Sequence, residues 1–184
     1  MKQNKLKQNI IDQIKEAQIK IGYVKETVRL YYPAATLNTL MGTDKKNAEE
    51  LLVLLEGDSD LADTELGKLQ FSVQKDRIEI SVPPKGVEYV AHEVSNPAFL
   101  VELIEFFDKH HNCRREDLCN LFCKYSPNYV CENMPEGMGF DYVLYFEDVT
   151  IDSYNYCIKE EMGHTIYHRF TKAVSYTHLT LPTT

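Results

Sequence analysis

The chain has 184 residues, 43% of them hydrophobic and 26% charged, with 20 Lys and Arg against 28 Asp and Glu for a formal net charge of -8. That size and composition suit one domain able to bury a core without disulfides or metals. The acidic balance argues against non-specific binding to phosphate backbones or anionic membranes.

Charge is uneven along the chain. Residues 1–29 hold seven basic and three acidic residues. With no dense arginine run and no interleaved aromatics, this reads as the solvated face of a helix beside an acidic body, not as a nucleic-acid arm. Lys2, Lys5 and Lys7 lead into a charge-bearing amphipathic segment instead of the apolar region of a signal peptide. No stretch approaches the roughly 18–20 uncharged apolar residues of a membrane span. The expected location is therefore cytoplasmic.

Leu6, Ile10, Ile14, Ala17 and Ile21 recur at helical spacing, predicting a helix over 3–21 that Gly22 ends. Val28, Leu30 and Tyr32 alternate with Arg29 and Tyr31 in a short strand stopped by Pro33. A brief helix follows over Ala34–Met41, closed by Gly42. Thr43 is read as the N-cap of a helix over Asp44–Glu56 that buries Ala48, Leu51, Leu52 and Leu55. The acidic run to Glu65 reads as a solvated connection with at most one helical turn. Asp58-Ser59-Asp60 lacks the next ligand and the turn glycine of a calcium loop.

From Lys68 the period becomes two. Leu69, Phe71 and Val73, then Ile78, Ile80 and Val82, flank Lys75-Asp76 and predict a hairpin. Pro83-Pro84-Lys85-Gly86 reads as a closing turn, and Val87–Val94 as a further strand or extended crossing. Asn96 is placed to cap a helix whose first residue is Pro97 and whose buried side chains include Phe99, Leu100, Leu103, Ile104, Phe106 and Phe107. A second helix spans Arg114–Lys124, with Leu118, Leu121, Phe122 and Tyr125 inward, and Pro127 breaks it. Val130 sits in a short extended piece and Pro135–Gly139 in a loop. Tyrosine-rich alternating runs from Phe140 to Phe170 then predict a C-terminal three-stranded meander. Strand–helix–strand alternation is sparse, so the fold class is α+β, an antiparallel or mixed sheet packed by helices, in a single domain over 1–172.

The last twelve residues, Ala173–Thr184, contain no charged side chain. The string VSYTHLTLPTT resembles translated adapter read-through, so 173–184 is set aside as a non-native tail.

Compact catalytic motifs are missing from the sequence. Gly137-Met138-Gly139 lacks the third glycine of a dinucleotide loop, and neither a phosphate-binding GxxxxGK[ST] nor a GxSxG elbow occurs. His92-Glu93 opens like a zinc-protease helix, but Asn96 stands where the second histidine belongs. His110, His111, Cys113, Cys119 and Cys123 superficially resemble a zinc set without its paired ligands on tight turns. The five cysteines (with Cys131 and Cys157) make an odd set lacking CxxC spacing and are read as free thiols, buried or incidental. No catalytic residue, cofactor or metal is assigned.

His164 and His168 share a strand face with Ile166 and Phe170, while Thr165, Tyr167 and Arg169 take the other. A histidine on such a mixed face can shuttle protons. The plainer reading is a pair of rim histidines bonded to Tyr142, Tyr154 or Tyr156. Phe140, Tyr142, Leu144 and Phe146 fall on one side of the meander, and Val143 and Tyr145 on the other, a set that Tyr167 is read as joining. Apolar groups on both faces mean either helical cover on both or a contact surface.

Five strings, GYVKETVRLYYPAATLNTLMG (22–42), PPKGVEYVAHEV (83–94), LCNLFCKYSP (118–127), FDYVLYFED (140–148) and YNYCIKEEMGHTIYHRF (154–170), resemble an uncharacterised bacterial family associated with gut Firmicutes. The resemblance implies a bacterial domain and supplies no activity or site. The reading that follows is a non-enzymatic binding domain whose surface includes Tyr145, His164, Tyr167, His168 and Arg169, for a protein partner or a homodimer. The alternative is a small enzyme using His164 or His168 as general acid/base in a tyrosine-lined cleft.

Overall fold

A computed structural model describes residues 4–62 and 64–172. The segment 173–184, set aside above as a tail, lies outside the described residues. The chain divides into two compact units, 1–96 and 97–184. Each has its own antiparallel sheet and its own apolar core, which places the protein in the α+β class.

The first unit begins with helix α1, Lys5–Ile21, capped by the Asn4 side chain accepting from the Lys7 amide at 3.0 Å. It buries Leu6, Ile10, Ile11 and Ile14. The predicted stripe does not hold at its end, where Ala17 and Ile21 are exposed. Strand β1, Val28–Pro33, leads into helix α2, Ala34–Met41, which ends on Gly42 in the left-handed conformation (φ 68°, ψ 39°) that glycine adopts without steric cost.

Helix α3 covers Ala48–Glu56 and starts four residues later than Thr43 suggested. Asn38 accounts for the difference. Its side chain accepts from the Thr43 hydroxyl and the Lys45 amide, both at 2.8 Å, and donates to the Lys45 carbonyl, holding 43–45 as a loop. The cap is Asn47, which accepts from the Glu50 amide at 2.9 Å while Glu50 reaches back to it. One turn, α4 (Ser59–Ala62), buries Leu61.

Strands β2 (Gln70–Gln74) and β3 (Arg77–Val82) form the predicted hairpin. Unforeseen is that β3 is central, in the order β1-β3-β2. Register sets Val28, Leu30 and Tyr32 against Val82, Ile80 and Ile78, with Phe71 and Val73 on the other flank of the same pairs. This apolar face joins the stripes of α1, α2 and α3 in one cluster. Buried Tyr32 donates its hydroxyl to Asn9 at 2.8 Å, and burial pushes its phenol pKa upward.

The segment read as a turn followed by a strand is instead helix α5, Pro84–Glu93. Pro84 takes a first-turn position where a missing donor is harmless, and Val87 and Val90 stack at helical spacing on the core. Gly86 is required by close approach: a Cβ there would stand 2.2 Å from the Leu66 carbonyl oxygen.

The second unit opens with α6, Ala98–Lys109. Asn96 is not its cap, because the helix begins one residue later than predicted, with Pro97 in the capping position. Helix α7, Arg115–Tyr125, follows. Strands β4 (Tyr129–Asn133), β5 (Tyr142–Phe146), β6 (Tyr154–Glu161) and β7 (His164–Thr171) pair in chain order. The meander is there in β5–β7, and the short piece around Val130 adds β4 to its edge.

Candidate functional site

Strand alternation gives the second sheet two faces of different character. On one, Leu144, Phe146, Tyr154, Tyr156 and Ile158 pack with Phe99 and Leu103 of α6 and Leu118 and Phe122 of α7. On the other, Val143 and Cys157 pack with Phe140, Met134, Tyr145 and Phe170.

Two assignments made from alternation alone are corrected. Phe140 precedes β5 and joins Val143 and Cys157, not Tyr142 and Leu144. Tyr167 does not join Tyr145. It pairs in register with Ile158 and packs its ring 5.0 Å from Phe107 and 5.9 Å from Tyr156, on the helix-covered side.

Arg169 lies on that same side. Its guanidinium sits 4.2 Å above the Tyr154 ring and bonds toward the Tyr156 hydroxyl. That hydroxyl donates to Asp152 at 2.8 Å, whose other oxygen accepts from the Tyr154 amide. Burial raises the Tyr156 phenol well above its ordinary pKa, with the Asp152 charge adding to the shift and Arg169 opposing it. Tyr167 and Arg169 therefore help to hold the core of this unit.

His164, Ile166, His168 and Phe170 occupy the opposite face, as the alternation predicted. Both histidines are exposed, Phe170 is half-buried, and Ile166 is 43% exposed. The His168 ring stacks on Phe170 at 6.3 Å and meets Phe140 edge-on at 5.3 Å. Tyr145 shares this face, with the Lys172 ammonium 5.4 Å from its ring centre and donating to the Phe146 carbonyl. His164 faces His111 at 6.3 Å. That proximity follows from Thr165, whose amide donates to the His111 carbonyl at 2.8 Å and whose hydroxyl accepts from the Cys113 amide at 3.2 Å. Tyr142, Tyr154 and Tyr156, the tyrosines read as hydrogen-bond partners of the two histidines, point instead to the helix-covered side.

The structure thus brings Tyr145, His164 and His168 to one face and sends Tyr167 and Arg169 to the other. It adds Met162, 94% exposed at the β6–β7 turn. Met162 (φ 52°) and Gly163 (φ 77°) both lie in the left-handed region, as a tight two-residue hairpin demands. For methionine that conformation carries a steric cost. The sequence signal was a two-residue gap between alternating runs with glycine in its second position.

Among the described residues, no group of three metal-ligating side chains converges, His110, His111, Cys113, Cys119 and Cys123 included. Cys113 is buried against Thr165, and burial raises its thiol pKa. In the first unit, His92 and Glu93 line an open concavity of about 430 Å³ with Glu65, Lys85, Glu88 and Tyr89.

Residues 3–180, spanning both units, match the model of a family described as a domain of unknown function from an E. rectale gene description (DUF3877). No curated protein and no solved structure matches the chain.

Proposed function

The chain belongs to the DUF3877 family of unknown function, and from that premise we propose that it works by binding a protein through the outer face of the second unit's sheet. The supporting observation is the exposed apolar strip of Met162 and Ile166, continued by His168 and Phe170. On a strand whose opposite side already holds the core, such a strip is the pattern of a contact surface. Tyr145 and His164 flank it. The strained turn supports the same reading, since a left-handed methionine costs stability and presents its side chain to solvent.

A protein partner also accords with the net charge of -8, which disfavours nucleic acid. Five unpaired thiols support a reducing, cytoplasmic setting. No helix among the described residues is long and apolar enough to cross a membrane.

The test compares wild type, Ile166→Glu and a control charge at exposed Val53 of the first unit. Light scattering over a concentration series reads self-association, and affinity capture from the source organism's extract reads a partner. The expected result is a dimer or a single captured protein that Ile166→Glu abolishes and Val53→Glu retains. A wild-type monomer that captures nothing, or a profile shared by all three proteins, overturns the proposal.

A further inference from the structure

Helix α7 carries Arg115 and Cys119 four residues apart, so both project from one side of the helix. Strand β4 carries Tyr129 and Cys131 two residues apart, on one side of the strand. Cys119, Tyr129 and Cys131 pack against the same aromatic core. The Arg115 Nε donates to the Cys131 Sγ at 3.1 Å. A terminal nitrogen of the same guanidinium donates to the Asn133 side chain, and its carbon lies 4.6 Å from the centre of the Tyr142 ring. The cation is thus held on three sides and aimed at sulfur.

Cys119, Tyr129 and Cys131 pack against that core together, and Tyr129 and Cys131 both lie near enough to Cys119 to act on its thiol. Burial, with the bond to Cys131 second, pushes the Cys119 thiol up to about 11, so Cys119 is a proton donor at neutral pH. The directed bond in the set is the one from Arg115 to Cys131. Of the two sulfurs, Cys131 is the one that accepts a charged hydrogen bond. Both cysteines are half-buried, not sealed in the core.

We propose that Cys131 and Cys119 form a thiol pair oxidised by hydroperoxides, with Cys131 as the attacking sulfur and Cys119 as the resolving one. The Cys131 sulfur attacks one peroxide oxygen. An S–O bond forms, the O–O bond breaks, and the departing oxygen leaves as water or an alcohol after taking up a proton. The Cys119 sulfur then attacks the Cys131 sulfenic acid. The S–S bond forms, the S–O bond breaks, and the hydroxide leaves as water with the Cys119 proton. The two thiols lose two electrons and the peroxide gains them. A dithiol reductant reverses the change.

The other cysteines are internal controls in the same chain. Cys123 is exposed one turn along α7, and Cys113 and Cys157 are buried, with burial pushing Cys157 up to about 12. The full chain, fully reduced, is titrated with hydrogen peroxide, quenched, and read by intact mass and peptide mapping. The expected product is 2 Da lighter, as two thiols become one disulfide, and maps to a 119–131 crosslink. Cys119→Ser is expected to leave a sulfenic acid on Cys131 that dimedone traps, and Cys131→Ser to leave neither product. Arg115→Gln is expected to slow oxidation on the order of tenfold, the loss of one charged hydrogen bond to the reacting sulfur. Oxidation of Cys123 ahead of Cys131, a crosslink through any other pair, or an unchanged rate in Arg115→Gln overturns the proposal. The wild-type order of oxidation decides even if a variant fails to fold.

Discussion

The two units hold themselves together with different materials. In the first, the apolar core is leucine, isoleucine and valine with Ala48, and Tyr32 is the one buried ring among its described residues. In the second, rings fill the interior. Phe99 is the centre, meeting Phe122, Phe146, Tyr125 and Tyr156 edge-on at 4.8–5.5 Å. Aliphatic packing is set by volume, and swaps of equal volume cost little. Rings add orientation, and tyrosines add polar tips that need partners when buried. Tyr156 finds Asp152, and Tyr125 finds Glu102 at 2.6 Å. A core built this way brings hydroxyls, carboxylates and a guanidinium inside with the rings. The thiol pair and the contact face proposed above both belong to the second unit.

The sharpest way to break this comparison is to remove the ring at the centre. Phe99→Ala is expected to cost about 3–5 kcal/mol and to collapse the near-ultraviolet circular dichroism. Leu51→Met, at a fully buried site of the first unit, is expected to cost less than about 1.5 kcal/mol. Equal losses in urea titrations of the two variants would erase the distinction.

Alkali offers a milder test. The Tyr125 phenol is pushed up to about 12 by burial and its bond to Glu102, and Tyr142 and Tyr156 are also raised by burial. A folded-state pKa above the unfolded value means stability that is complete below the unfolded phenol pKa, about 10. It is lost as pH rises through the folded value. Each fully buried phenol is worth about 1.4 kcal/mol per pH unit in that window. Hydrogen exchange between pH 9 and 11 should therefore show protection falling faster in 97–172 than in 4–94. Tyr32 is the one buried phenol of the first unit, and the exposed Tyr31, raised by its bond to Glu79, contributes less.

The smallest effect separates turn strain from function. Each hairpin has a non-glycine residue in the left-handed region, Lys75 at φ 59° in the first unit and Met162 at φ 52° in the second. Asparagine tolerates that conformation, so Lys75→Asn and Met162→Asn should each raise stability by about 0.5–1 kcal/mol. Only Met162→Asn should also weaken partner capture. Equal capture by both variants would remove Met162 from the contact surface.

Periodicity read well wherever a segment's own neighbours decide its shape. Leu6, Ile10 and Ile14 marked α1, Gly42 closed α2, and the alternation around Lys75-Asp76 marked the first hairpin. It failed where two periods overlap. Val87, Tyr89 and Ala91 alternate as a strand would, yet Val87 and Val90 also share a helix face, and Pro84 with the close contact at Gly86 selected the helix. The cap of α3 was legible as Asn47 followed three residues later by Glu50, but Thr43 offered a competing start until Asn38 took its hydroxyl. The site was half legible. Alternation paired His164 with Ile166, His168 and Phe170 correctly, but it could not say which face the helices would cover, and so misplaced Tyr167.

By itself the sequence determined most of the element types, α5 excepted, with the α+β class and the two-residue hairpins, because these depend on groups only a few positions apart. Tertiary structure alone decided that β3 is central, that β4 extends the meander, and that Arg115 and Cys119 meet Cys131. Those outcomes depend on which apolar faces find each other across long stretches of chain. That choice is made by total buried area and hydrogen-bond completion, and neither leaves a mark within a local window of residues.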